Sequence, residues 1–212
     1  MVQPFFSVII TSFNRAKLLK KALDSLTKQT EEDWRAIIID DGSTDKTKEV
    51  VLPFLFRYHN ISYIFNHQNR GSGYSKNKGL KHSTGKYVTF LDSDDRYFPK
   101  HLSIRKKILT DNPGIDLLHG GVKIIGNPYV PDIENPGKLI HLDNCIIGGT
   151  LFVKREAALR IGGFADMRFG EDYDFYQRAI KNNLRILKTQ EKTYVYHRDG
   201  EDSLCGNVNF NP

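Results

Sequence analysis

Cysteine and long apolar runs are both scarce in this sequence. Its 212 residues include two cysteines, Cys145 and Cys205, which lie far apart and outside any metal-like spacing. This excludes a disulfide framework and fits a reducing compartment, although the sequence leaves open a single bridge between the two. No stretch reaches the roughly 20 apolar residues of a membrane-spanning helix, and the N-terminus lacks the features of a signal peptide. We therefore expect a soluble cytoplasmic protein, or one peripheral to the inner face of the membrane.

Two glycine-rich nucleotide signatures are also missing. Neither GxGxxG nor GxxxxGK[ST] occurs, which argues against a dinucleotide or ATP site of those kinds. The net charge of +6 is compatible with diphosphates, acidic lipid surfaces or nucleic acid. However, the basic residues are scattered, and Lys17, Lys20 and Lys21 lie among helical leucines, where a solvated face is the better interpretation. We expect no nucleic-acid partner.

The first half of the chain alternates apolar runs of strand length with segments of helical period. Four strands are predicted: Phe5 to Thr11, Ala36 to Asp40, Ile61 to Phe65, and Tyr87 to Leu91. Each pair of strands is separated by a helical segment. This alternation predicts an α/β fold with a mostly parallel central sheet and helices on both faces.

The helices of this half are marked by periodicity and by punctuating residues. Ser43 and Thr44 offer an N-cap for the second helix, which Pro53 should end. A short third helix is expected near Tyr74 to Leu80. The first helix shows one apolar face, formed by Leu19, Ala22, Leu23 and Leu26.

From Pro99 onward the pattern is looser. We expect this second half to form a single domain, residues 1–212, together with the first. Pro128, Pro131 and Pro136 indicate a loop or lid over Gly126 to Pro136. The predicted elements are a helix to about Thr110, a strand Ile115 to His119, strand-like Ile146 to Val153, a helix Asp172 to Lys181, and a last strand Thr193 to His197.

Polar residues follow the first, second and fourth predicted strands. Because ligands of open α/β sheets bind beyond the carboxyl ends of the strands, these loops are the first candidates for a site. They are Thr11 to Arg15, Asp40 to Asp45, and Asp92 to Asp95. Asp92 and Asp94 could bring carboxylate oxygens around Mn²⁺ or Mg²⁺. A polar turn that caps the next helix is the alternative.

Asp41, in the second of these loops, and the glycines that follow the third predicted strand each allow a functional and a structural interpretation. Asp41 could accept a hydrogen bond from a nucleotide base or a ribose hydroxyl, or could be a turn residue before Gly42, which permits a positive φ. Gly71 to Gly73 could present N–H groups to phosphate, with Lys76 and Lys78 adding positive charge, or could simply begin a helix.

Acidic groups gather again at Gly170 to Asp174, at an expected helix N-terminus. Carboxylates are favoured there for electrostatic reasons alone, so the segment by itself is better explained by helix stability. His197, at the end of the last strand, is by itself better explained as an ordinary surface or core histidine.

Together and in order, these segments resemble family 2 of the glycosyltransferases, the inverting enzymes of the glycosyltransferase A fold. The resemblance covers nearly the whole chain. It is carried by SVIITSFNR (Ser7 to Arg15), IIIDDGSTD (Ile37 to Asp45), GYSKNKGL (Gly73 to Leu80), YVTFLDSDD (Tyr87 to Asp95), GGTLFVKREAALRIGGF (Gly148 to Phe164) and GEDYDFYQRA (Gly170 to Ala179).

The resemblance implies roles for individual residues. The donor would be bound by Thr11, Asn14, Arg15, Asp41, Lys76, Asp92 and Ser93, with Asp41 on the base and Lys76, in place of the family's usual arginine, on the diphosphate. The metal would be held by Asp92, Asp94 and His197. Asp172 would be the general base and Glu171 its companion, with Gly148 to Thr150 lining the acceptor cleft.

The implied reaction is a single, inverting, metal-dependent transfer from a nucleoside-diphosphate sugar, with a UDP-sugar favoured, to an acceptor hydroxyl. Residues 1–95 would bind the donor and residues 96–212 a glycan or lipid-linked acceptor, in cell-surface polysaccharide or glycoconjugate synthesis. Processive synthases of the family carry a Gln/Arg-x-x-Arg-Trp signature that is missing here. A sugar nucleotidyltransferase and a non-catalytic sugar-nucleotide or glycan-binding module are the alternatives.

Overall fold

The computed structural model describes residues 3–132, 135, 137–167 and 169–198. A seven-stranded sheet of order β11-β6-β10-β4-β1-β2-β3 forms its centre. The strands of this sheet are β1 Phe6–Ser12, β2 Trp34–Asp40, β3 Ile61–Phe65, β4 Tyr87–Phe90, β6 Leu117–His119, β10 Phe152–Lys154 and β11 Ile186–Lys188. β1 to β4 are parallel, whereas β10 is antiparallel to β4 and β6. The predicted mostly parallel sheet is therefore confirmed.

Helices cover both faces of this sheet, as the alternating pattern predicts. They are α1 Ala16–Leu26, α2 Thr47–Arg57, α3 Ser72–His82, α4 His101–Asp111, α5 Arg155–Arg160 and α6 Glu171–Lys181. Side chains alternate across β1, so that Val8 and Ile10 join α1, α2 and α4 in one apolar core. Ile9 joins α3, α5 and α6 in the other. The predicted apolar face of α1 is buried as expected.

Two predictions about α2 are wrong. The helix continues through Pro53 instead of ending there, because the φ of proline suits a helix and the buried Val51 and the neighbouring Phe54 pack on the core. Ser43 and Thr44 do not cap it, since α2 begins only at Thr47. Both of those residues instead bond to the loop that follows β1.

The second half departs further from the sequence pattern. Of the strand predicted over Ile146 to Val153, Gly148–Thr150 forms a 3₁₀ turn, and the strand pairing is confined to β10. The sequence pattern also failed to predict β7 Val122–Ile125, α5 and β11. These elements have three to six residues and are too short to show a clear period.

Two small sheets complete the second half. β12 Tyr194–His197 pairs with β7 and with β5 Arg96–Tyr97, which brings the last strand beside the loop that follows β4. The predicted loop over 126–136 contains β8 Tyr129–Pro131, which forms a hairpin ladder with β9 Leu139–His141. Pro136, counted in that loop, and Cys205 lie outside the described residues. No helix in the described ranges is long and apolar enough to cross a bilayer.

Candidate active site

A cleft of about 600 Å³ opens beyond the carboxyl ends of β1, β2 and β4. It is the position that an open α/β sheet offers for a ligand. All but one of the residues proposed to bind the donor, to hold the metal or to act in catalysis line it: Thr11, Arg15, Asp41, Lys76, Asp92, Ser93, Asp94, Glu171, Asp172 and His197. Of the expected acceptor strand, Gly148 lines the cleft, whereas Gly149 and Thr150 do not. The sheet thus brings together groups from loops more than 100 residues apart.

Asn14 is the exception, because it joins two loops outside the lining of the cleft. Its side-chain oxygen accepts hydrogen bonds from the N–H of Thr44 at 2.8 Å and of Asp45 at 3.3 Å. Its own N–H donates to Ser43 Oγ at 2.9 Å. Asn14 adopts a φ of +52°, which asparagine tolerates better than most residues. The structure therefore shows Asn14 as the link between the loops that carry Thr11 and Asp41.

Asp41 is buried and bonded to the segment that leads into α3. Its carboxylate accepts from Asn66 Nδ2 at 2.7 Å, Arg70 N–H at 3.0 Å and Gly71 N–H at 2.7 Å. Gly42 beside it has a φ of +85°, as the turn required, and a Cβ there would come within 2.8 Å of the backbone of Gln68. The N–H of Gly71 thus donates to Asp41. It stabilises the loop and is not directed at a phosphate, the contact considered from the sequence.

The loop after β4 places three aspartates in different environments. Asp95 is fully buried, and its carboxylate accepts from the Tyr194 hydroxyl at 2.7 Å and from the His197 N–H at 2.8 Å. Asp92 and Asp94 line the cleft instead. The bonds of Asp95 tie this loop to β12, which explains why His197 reaches the same cleft.

The pKa of Asp92 is changed by its burial and by the charged side chains around it. Burial raises the pKa of Asp92 to about 7, against the opposing effect of Lys76 and with further increases from Asp172, Asp94 and Glu171. Among the residues that the structure describes, six carboxylates line the cleft, namely Asp41, Asp92, Asp94, Asp132, Glu171 and Asp172, and two cationic side chains do so, Arg15 and Lys76. An added cation would therefore be favoured here.

The donor set suits a hard divalent cation that shares its coordination with a substrate. Within the described ranges, no three His, Cys, Asp or Glu side chains are close enough to form a complete metal cluster. Mg²⁺ and similar ions are commonly held by one or two carboxylates together with water and substrate phosphates. Asp92 and Asp94 fit that arrangement, with His197 on the same wall.

Glu171 and Asp172 begin α6, after Gly170 in the left-handed conformation at a φ of +84°. Asp172 Oδ2 accepts from Gly148 N–H at 3.0 Å, and its Oδ1 lies 2.7 Å from Lys76 Nζ. Burial raises the pKa of Asp172, and the positive charge of Lys76 opposes that rise. The pKa of Glu171 is lowered instead, because Lys76 and hydrogen bonds outweigh its burial.

The remaining wall of the cleft is apolar and was not identified from the sequence. Its side chains come from the β8–β9 hairpin, the segment after it and the turn before α6: Val130, Pro131, Ile140, Leu142, Ile146, Ile147, Met167 and Phe169. These residues lie in short elements whose order in the sequence does not reveal a shared surface. Only the prolines that indicated a loop or lid gave a signal.

The fold and this site define a glycosyltransferase of the glycosyltransferase A class. Residues 7–131 match the family described as glycosyl transferase family 2. The chain belongs to this family, and it is therefore an enzyme that transfers sugars. The fold class and the family expected from the sequence are both confirmed.

Curated relatives cover most of the chain. An uncharacterized glycosyltransferase of Methanocaldococcus jannaschii is 27% identical over 98% of this chain and 76% of its own length. The UDP-Glc:alpha-D-GlcNAc-diphosphoundecaprenol beta-1,3-glucosyltransferase WfgD of Escherichia coli is 29% identical over 84% of this chain and 70% of its own length. Another uncharacterized glycosyltransferase, from Haemophilus influenzae, is 31% identical, and the chain covers 62% of its length.

Solved structures share the fold at lower identity. S. aureus TarS 1–349 in complex with UDP-GlcNAc superposes with a TM-score of 0.80 at 24% identity, over 96% of this chain and 61% of that one. The mannosyltransferase PcManGT from Pyrobaculum calidifontis, in complex with GDP-Man and Mn²⁺, gives 0.72 at 19% identity, over 92% and 57%. This chain thus spans about three fifths of the length of these solved neighbours.

Proposed function

We propose that this enzyme transfers a single sugar from a UDP-sugar to an acceptor hydroxyl, with inversion at the anomeric carbon and with Mn²⁺ or Mg²⁺ bound. One observation carries the proposal: Asp92 and Asp94 share a single cleft with Glu171 and Asp172. The two pairs are close enough for Asp172 to help raise the pKa of Asp92. A leaving group and an attacking hydroxyl could therefore meet there.

The donor would lie against the loops of residues 1–95. Asp41 is held rigidly at the floor of this half, where a base or ribose could approach it beside Thr11. Arg15 and Ser93 line the same region. A uridine nucleotide is favoured because the E. coli relative is named for UDP-Glc and the TarS structure contains UDP-GlcNAc.

The metal would be held by Asp92 and Asp94 together with the phosphates of the donor. His197, expected from the family resemblance to be a third ligand, lines the same cleft but does not form a three-residue cluster with them within the described ranges. The chemistry that such a cation supplies is neutralisation of the charge on the departing diphosphate. The excess of carboxylates over cationic side chains in the cleft supports this assignment. Burial is the main reason that the pKa of Asp92 is raised, and a bound cation would relieve the repulsion from neighbouring carboxylates that adds to it.

Asp172 would be the general base, with Glu171 beside it. The acceptor oxygen forms a bond to the anomeric carbon while the bond to the diphosphate oxygen breaks, and the hydroxyl proton passes to the Asp172 carboxylate. Attack from the face opposite the leaving group inverts the configuration. Each Asp172 oxygen receives one hydrogen bond from the protein. A carboxylate has about four lone-pair sites, so it retains the capacity to accept a proton.

Residues 96–212 would bind the acceptor, a glycan or a lipid-linked sugar. The apolar wall of the cleft suits the apolar face of a sugar ring or the start of a lipid chain. WfgD is named for an acceptor linked to diphosphoundecaprenol. The enzyme would act in the cytoplasm, as a protein peripheral to the inner face of the membrane. It would contribute to synthesis of a cell-surface polysaccharide or glycoconjugate.

The donor can be tested by thermal shift with UDP-, GDP- and dTDP-sugars, each with and without Mn²⁺. We expect the largest stabilisation from a UDP-sugar in the presence of Mn²⁺, since ligands that bind only the folded state raise the melting temperature. Stabilisation by GDP- or dTDP-sugars alone would refute the uridine assignment. Equal stabilisation with and without Mn²⁺ would refute the metal assignment.

A further inference from the structure

Lys76 lies on the acceptor side of the cleft, whereas the sequence motif predicts a contact with the donor diphosphate. Its ammonium group is 2.7 Å from Asp172 Oδ1 and 3.0 Å from Glu171 Oε1. The side chain is only 3% exposed, and Nζ lies 5.1 Å from the ring centre of Phe164. Two of its three N–H donors are therefore used by the acceptor motif.

Backbone packing fixes this position of Lys76. Asn77, the next residue in α3, donates to Phe164 O at 2.8 Å and accepts from Phe164 N–H at 2.8 Å. At the start of α3, a Cβ on Gly73 would come within 2.5 Å of Ala165 O. The helix that carries Lys76 is thus docked directly on the segment that leads into Glu171 and Asp172, and Lys76 is not a free surface side chain.

The contact also matters for the chemistry of Asp172. A buried carboxylate prefers the neutral form, and only the ionised form can accept a proton from an acceptor. Burial alone would lower the pKa of Lys76, but the charges of Asp172, Glu171 and Asp92 hold that pKa well above its usual value. Lys76 is therefore a permanent cation beside the base.

We propose that Lys76 is a positioning residue of the general base. With Gly148, it fixes the orientation of the Asp172 carboxylate, and its positive charge favours the ionised form of that carboxylate inside the cleft. It does not bind the donor diphosphate. This inference rests on the proposed function of Asp172, and it assigns to Lys76 a part in acceptor activation instead of donor binding.

The test compares Lys76→Met, which keeps the length of the side chain but removes its charge, with Lys76→Arg. Lys81→Met is the matched control, because Lys81 is an exposed residue of the same helix. Turnover is measured as hydrolysis of UDP-glucose or UDP-GlcNAc, in which water takes the place of the acceptor. The affinities of UDP and UMP are measured by calorimetry at a fixed concentration of Mn²⁺.

We expect Lys76→Met to lower kcat by about 10²-fold, the order of effect for a mispositioned catalytic group. UDP and UMP affinities should stay within about threefold, since Lys76 does not touch the nucleotide on this assignment. Lys76→Arg should retain more activity than Lys76→Met, and Lys81→Met should match the unmodified enzyme. A loss of UDP affinity without a loss of UMP affinity would show that Lys76 binds the β-phosphate and would overturn the proposal.

A double variant separates this inference from the proposed function. If Lys76 acts through Asp172, Lys76→Met combined with Asp172→Asn should be no slower than Asp172→Asn alone. Additive losses would overturn the inference while leaving Asp172 as the base. Normal turnover of Asp172→Asn would instead refute the proposed base itself. Should Lys76→Met fail to fold, Lys76→Gln, which also removes the charge but keeps a hydrogen-bond donor, and its double variant with Asp172→Asn give the same comparison.

Discussion

The N–H of Gly148 donates a 3.0 Å hydrogen bond to Asp172 Oδ2, across 24 residues of sequence. The approach is so close that a Cβ at position 148 would overlap the carboxylate. Any larger residue at the start of the 3₁₀ turn Gly148–Thr150 would therefore push the Asp172 carboxylate aside. This contact joins the two acceptor-side motifs into one unit.

Replacement of Gly148 by alanine should displace Asp172 and lower turnover by about 10²-fold, because small errors in the position of a catalytic group have large effects on rate. UDP affinity should change little. Gly114→Ala is the control, since a Cβ there meets only the guanidinium of Arg185, an exposed side chain that can move. Full activity of Gly148→Ala in steady-state assays would argue against Asp172 as the base.

Asp172→Asn should lower turnover by roughly 10²- to 10⁴-fold, the usual contribution of a positioned general base. Asparagine keeps an oxygen that can accept from Gly148, so the fold should survive. Initial rates and calorimetry with UDP would show a lower kcat with nearly unchanged nucleotide affinity. If turnover stayed near normal, Glu171→Gln would be the next variant to measure.

Chelation should abolish turnover, and added Mn²⁺ or Mg²⁺ should restore it. Asp94→Ala should have the same effect as chelation, with little change in melting temperature, because Asp94 lines the cleft outside the apolar core. Asp111→Ala serves as the control, since Asp111 forms only an exposed ion pair with Lys107. Undiminished rates in excess EDTA would exclude a metal role for Asp92, Asp94 and His197.

Asp41→Ala should weaken UDP binding by about 1.5 to 3 kcal/mol, the range for a lost hydrogen bond to a charged group. The loop into α3 would also lose an anchor, since Asp41 accepts from Arg70 and Gly71. Asn66→Ala separates the two effects, because it removes one partner of Asp41 and leaves the carboxylate in place. Equal losses of UDP affinity in both variants would show that Asp41 stabilises the loop and does not bind the base.

Asp116 should make the stability of the fold depend on pH. Partial burial alone would raise its pKa, but Lys154 Nζ at 2.9 Å and the N–H of Arg185 outweigh burial and lower it below the usual 3.8. A lowered pKa stabilises the fold at pH values above 3.8, and the effect is lost as the pH falls through the folded-state value. Asp116→Asn should lower the free energy of unfolding by about 1 kcal/mol at pH 7 and by much less near pH 2, as measured by urea unfolding. An equal loss of unfolding free energy at both pH values would show that the ionised Asp116 carboxylate is not the cause.

The sequence by itself determined the first half of the fold and the chemistry of the site. Consecutive apolar residues in β2 and the apolar face of α1 give strong periodic signals, and parallel strands place their carboxyl ends at one edge. The loops with Asp41, Asp92 and Asp94 therefore had to meet. The prediction from Pro53 was wrong because the lost hydrogen bond and the clash of the proline ring with the carbonyl four residues earlier are offset here by the packing of Val51 and Phe54 on the core.

Only the tertiary structure decided the partners within the site. The contacts of Lys76 with Asp172, and of Asp95 with Tyr194, join residues 96 and 99 positions apart, and no local pattern encodes such distances. The motif suggested that Lys76 faces the diphosphate; packing of α3 on Phe164 directs it to the acceptor motif instead. Short strands such as β7 and β11 are likewise stabilised by their neighbours in a sheet, because three or four residues have too little periodicity to specify a strand alone.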